Sequence, residues 1–105
     1  MPRFVFAYHG GPQSISPEEG RAHMGKWMAW MSGLGDAVVD RGTPVGKSMT
    51  VGPEGVVEGG GPNPLSGITI VEAVDMAAAL EMAGRCPHVE IGGTIEVAPA
   101  LDMPM

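Results

Sequence analysis

The sequence predicts an α+β protein, a ferredoxin-like βαββαβ chain with two helices on one face of a four-stranded antiparallel sheet. Three observations predict it. Short runs of aromatic and β-branched residues alternate with two segments of helical apolar spacing. Each of those two segments opens on a capping residue. Clusters of Gly and Pro separate the elements, drawn from 17 Gly and 10 Pro in 105 residues. That length predicts one domain, residues 1–105.

The elements follow in order. "RFVFAYH" (Arg3–His9) reads as a strand ended by Gly10, Gly11 and Pro12. Phe4 to Tyr8 are apolar without alternation, so both faces of this strand want burial. Ser16, Pro17 and Glu19 open a helix as N-cap, first helical residue and capping-box acid. Met24, Trp27, Met28, Met31, Leu34 and Val38 recur at helical spacing behind it. Gly33 and Gly35 weaken its last turns, and Gly42 can end it. "VGKSMTV" (Val45–Val51) reads as the next strand, "GPEG" as a turn and "VVE" as a short return strand. "GGGPNP" (Gly59–Pro64) is a loop. "SGITIVEA" (Ser66–Ala73) is a strand with Ile68 and Ile70 on one face and Thr69 and Val71 on the other. Asp75 caps a second helix that Pro87 stops near Arg85. "GTIEVAP" (Gly93–Pro99) closes the sheet.

Two helices leave one sheet face open, and either Phe4 and Phe6 or Val5 and Ala7 must point there. An uncovered apolar face predicts an interface, and a two-fold homodimer packed sheet on sheet is the economical solution.

Composition excludes several functions. The net charge is −6, and six Lys and Arg are too few and scattered for a nucleic-acid footprint. An acidic surface disfavours anionic membranes, and no run of 18 apolar residues exists. The N-terminal apolar run is too short for a signal peptide. One cysteine forms no intrachain disulfide, and no Cys/His spacing suits zinc. The expectation is a cytoplasmic protein without cofactor, metal, nucleic-acid or membrane partner.

Four motifs carry chemistry. "GTPVGKS" (Gly42–Ser48) is one residue short of a P-loop and runs from helix to strand, the wrong way round to meet a phosphate. His23, Trp27 and Trp30 share one helical stripe, where imidazole beside two indoles can line a pocket for an aromatic ligand with His23 as general base. His9 stands at a strand end before two glycines, where a loop opens. In "CPH" a single residue separates Cys86 from His88, in a segment leaving the helix, which is poor geometry for a dyad. The helix C-terminus also disfavours a thiolate at Cys86, so a packed thiol is the better reading.

"FVFAYHGG", "SPEEGRAHMGKWMAWMSGLGDAVVDRGTPVGKS", "SGITIVEAVDMAAALEMAGRCP" and "GGTIEVAP" together resemble the YCII-related proteins over nearly the whole chain. The resemblance implies a ferredoxin-like fold that dimerises as an α+β barrel. It also implies, for some members, a dyad of a first-helix histidine and an aspartate before the proline after helix 2, used in one relative for dehydrochlorination. Here Cys86 stands before Pro87. Matching the first helix by Pro17 selects Glu19, and matching histidine to histidine selects His23. "GGGPNP" replaces the "DGPF" loop of another branch.

Two functions follow as expectations. One is a small cofactor-independent enzyme doing acid–base chemistry on a small organic molecule, with His23 catalytic and His9, Trp27, Trp30, Cys86 and His88 as ligand-binding candidates. The alternative is a non-catalytic ligand-binding or accessory module. Convergence of the histidines in one cavity discriminates between them.

Overall fold

The computed structural model describes residues 1–12 and 15–102. The elements are β1 (Arg3–His9), α1 (Pro17–Leu34), β2 (Val38–Pro44), β3 (Met49–Gly52), β4 (Gly55–Glu58), β5 (Leu65–Glu72), α2 (Met76–Gly84), α3 (Pro87–Glu90) and β6 (Thr94–Pro99). Four strands form one antiparallel sheet in the order β2-β5-β1-β6, and β3 pairs with β4 as a separate hairpin. The α+β class and the antiparallel four-stranded sheet are those the sequence predicts. Among the described residues, no helix is long and apolar enough to cross a membrane.

β1 is central, and its alternation is now resolved. Phe4, Phe6 and Tyr8 are buried under the helices, whereas Val5 and Ala7 point to the opposite, half-exposed face. Val71 and Ala73 join them from the β5 side, Ala79 and Ala83 from α2, and Cys86 from the turn that follows. Trp27, Trp30 and Leu34 lay α1 over the same core. Small residues at 79 and 83 let α2 approach the sheet closely. Complete burial of Phe6 contributes on the order of 2–3 kcal/mol. Two hydroxyls inside this layer satisfy each other: Tyr8 Oη donates to Thr69 Oγ1 at 2.8 Å, and Thr69 Oγ1 donates to the Arg41 carbonyl at 3.1 Å.

Both helix starts form as their residues dictate. Ser16 Oγ accepts from the Glu19 amide while the Glu19 carboxylate accepts from the Ser16 amide. Asp75 accepts from the Ala78 amide.

The middle of the chain departs from the expectation. α1 stops at Leu34 instead of running to Gly42, because Gly35 takes φ +56° and turns the chain out through a short 3-10 segment. The residues expected at the helix's end, Val38 to Gly42, join Thr43 and Pro44 in the sheet's edge strand β2. The strand expected at Val45–Val51 is absent from the sheet: Val45 to Ser48 form a connection, and Met49–Gly52 pairs with Gly55–Glu58 alone. Met24 and Met28, expected in the core stripe, are 57% and 58% exposed, so the buried stripe of α1 is narrower and centred on Trp27, Trp30 and Met31. Pro87 opens the one-turn helix α3.

β2 carries a bulge. Asp40 pairs with Ile70 and Thr43 with Ile68, so two β2 residues, Arg41 and Gly42, lie opposite the single Thr69. Gly42 takes φ +71°, and a Cβ there would stand 1.7 Å from the Ile68 carbonyl oxygen, so only glycine fits. The Asp40 carboxylate accepts from the Gly42 amide at 2.8 Å and holds the turn.

Candidate functional site

The bulge opens a cleft of about 460 Å³ between β2 and α1, closed at its ends by the Gly10–Pro12 turn and α3. Trp27 walls it from α1. Its ring lies 5.1 Å from Tyr8, edge to face, 6.5 Å from His88 and 5.9 Å from His23. His23 and His88 both line the cleft, each within ring-contact range of the indole. The capping box sets the phase of α1, and the i, i+4 spacing then puts His23 and Trp27 on the same side of it.

His88 is the most firmly held of these groups. It is buried on α3, and its Nε2 donates to the His9 carbonyl oxygen at 2.9 Å. A carbonyl can only accept, so the proton sits on Nε2, and in the neutral ring Nδ1 keeps its lone pair. The ring lies against Gly93, where a Cβ would stand 2.2 Å from Nε2, and against Gly11, where a Cβ would stand 3.2 Å from Cε1. Tyr8 meets its edge at 5.6 Å. Burial pushes the Tyr8 phenol well above its ordinary pKa, so it stays a neutral donor to Thr69.

His9 is elsewhere. Its side chain lies on the opposite face of the sheet, with Nδ1 3.0 Å from the Asn63 carbonyl and Nε2 3.1 Å from the Glu96 carboxylate. Both ring nitrogens are engaged there, away from the cleft. Its backbone carbonyl, through His88, is its link to the cleft. Trp30 turns toward α2: its Nε1 donates to the Met82 carbonyl at 3.0 Å, and its ring stacks 6.4 Å from Phe6. It lines a second concavity, a groove of about 500 Å³ between α1 and α2 whose α2 side carries the Glu81–Arg85 ion pair. That groove lacks a convergent set of titratable groups, which separates it from the cleft as a candidate site. Cys86 is 1% exposed within the core. Burial pushes its thiol from an ordinary 9.0 up to about 11, which opposes nucleophilic use.

The structure therefore brings His23, Trp27 and His88 together and leaves His9, Trp30 and Cys86 outside the cleft. It adds Tyr8, Arg41 and the Gly10–Gly11 turn, which the sequence reading did not treat as site residues. The turn carried a signal, since "YHGGP" marks a strand end with room for an approaching group. Arg41 carried none, because its position depends on a bulge. Among the described residues, no Asp or Glu lines the cleft, and no three His, Cys, Asp or Glu side chains cluster as a metal site would require. "GTPVGKS" ends β2 and enters a connection with no helix after it, so no helix N-terminus faces that loop.

Fold and site together define a class: an α+β protein with an antiparallel sheet and a helix-side cleft walled by indole and imidazole. No protein-family model matches the chain, and no curated protein matches it.

Proposed function

We propose that the chain is a small YCII-related protein whose cleft binds a small organic molecule with a flat apolar body. The observation that carries this is the grouping of Trp27, His23 and His88 around one cleft of about 460 Å³. An indole offers a stacking surface, and the two imidazoles offer donors and acceptors at its edges. The order β2-β5-β1-β6 with helices after β1 and β5 is the succession expected of a ferredoxin-like fold, which supports the family reading. A lone buried thiol goes with a reducing, cytoplasmic setting.

A fragment screen by NMR tests the binding reading. Hits that perturb the Trp27 indole and the Gly10–Gly11 amides are expected. Hits confined to the α1–α2 groove, or none at millimolar concentration, would overturn it.

A specific observation favours a catalytic second reading: His23 and His88 share the cleft, and the tautomer of His88 leaves Nδ1 able to accept a proton. In this reading the protein does cofactor-independent acid–base chemistry with His23 as base. Once a substrate is found, His23→Ala is expected to lose more than about 100-fold in turnover. Unchanged turnover would leave the binding module standing.

The family reading carries a homodimer with it. Val5, Ala7, Ile68 and Ile70 share the sheet face away from the helices, and Ile68 is 38% exposed there. One face of the β3–β4 hairpin carries Met49, Val51 and Val56, all exposed. A two-stranded hairpin is marginal in water by itself, so a second copy over this surface supplies what the single chain lacks.

A further inference from the structure

We infer that the ligand of the cleft is an anion, an aromatic or similarly flat carboxylate whose acid group meets Arg41 while its ring stacks on Trp27. The inference rests on the cleft reading above and names the charge of what the cleft accepts.

The argument starts from an imbalance. The chain carries 12 Asp and Glu against six Lys and Arg. A cleft drawn at random from such a surface should hold carboxylates. Among the described residues this one holds none, and its titratable lining is Arg41, His23, His88 and the neutral phenol of Tyr8. In a protein of net charge −6, a carboxylate-free recess with an arginine in its lining is the place where an anion escapes the general repulsion.

Arg41 is also uncommitted. Arg3, Lys26 and Arg85 each meet a glutamate; Arg21, Arg41 and Lys47 make no ion pair among the described residues, and of these three Arg41 is the one that lines the cleft. It sits in the β2 bulge, where Gly42 at φ +71° and the Asp40 turn fix its backbone, and its carbonyl is tied to Thr69 beneath the cleft. Bulges commonly re-aim a side chain next to a site. A guanidinium is the side chain whose fork matches a carboxylate with two hydrogen bonds. The remaining lining at Trp27, Met31 and Ile91 is apolar, which suits a ring and not a second charge.

Three probes that differ only in charge test this: benzoate, benzamide and benzylammonium, titrated into the full chain and followed by chemical shifts of the Trp27 indole and Gly10–Gly11 amides. Benzoate is expected to bind about tenfold or more tighter than benzamide, and benzylammonium least. Arg41→Gln is expected to bring benzoate to the benzamide level while leaving benzamide unchanged, and added salt to weaken benzoate alone. Equal binding of benzoate and benzamide at the Trp27 indole, or an Arg41→Gln chain that keeps the preference, would overturn the anion assignment and leave the cleft reading standing. Silence from all three probes would overturn both.

Discussion

His88 shows how a few atoms decide a site. Its ring occupies space that Gly93 leaves empty, and its one fixed proton points at the His9 carbonyl. Gly93→Ala places a methyl group 2.2 Å from Nε2, so the imidazole must move. A loss of about 1–3 kcal/mol is expected by urea denaturation, as for other overpacked buried sites. Cys86 gives a pH prediction. Its thiol pKa is higher in the folded chain, about 11 against an ordinary 9.0, because burial opposes the thiolate. The unfolded chain therefore loses this proton first. Stability is unaffected below about pH 9 and falls as pH rises toward 11. Cys86→Ala should flatten that part of a stability–pH curve, and in the native wild-type chain the thiol should resist labelling at neutral pH until unfolding exposes it.

At the scale of elements, α1 and β2 divide a segment that looked continuous. Helical spacing runs from Met24 to Val38, but the two ends of that run answer to different forces. Trp27, Trp30 and Met31 earn their helical place against the sheet. Val38 gains more from pairing with Val71 of β5, and Gly35 supplies the turn between helix and strand. The N-terminal end of α1 is set locally: Ser16→Ala should cost about 1 kcal/mol in thermal or chemical unfolding through loss of the capping box. The β3–β4 hairpin is legible as strand-turn-strand from "MTVGPEGVVE". Its separation from the sheet was not legible, because register and partner depend on what else competes for the β5 edge, and β2 occupies it.

The whole molecule is a two-layer slab, 44 × 40 × 19 Å, with one layer of helices on one sheet. Such a slab leaves an entire sheet face without a second layer, and the proposed homodimer would supply it. Sedimentation at micromolar concentration should give twice the monomer mass. Joint substitution of Val51→Asp and Val56→Asp, which are 77% and 59% exposed, should shift the protein toward monomer. In the monomer, stability should change by no more than about 0.5 kcal/mol, since neither side chain packs on the chain's own core. A chain that sediments as a monomer throughout would end the dimer proposal.

By itself the sequence determined the helix starts at Ser16 and Asp75, the strands Arg3–His9 and Thr94–Pro99 to within a residue, and the stop at Pro87, because caps, proline and alternation act over a few residues. It also put His23 beside Trp27, a matter of helical spacing alone. Tertiary structure decided the rest. It chose which face of β1 meets the helices, made Val38–Pro44 an edge strand, carried His88 into the cleft and His9 out of it, and set Arg41 on a bulge. Each of these depends on contacts between residues far apart in the chain, where burial and strand pairing outweigh local preference.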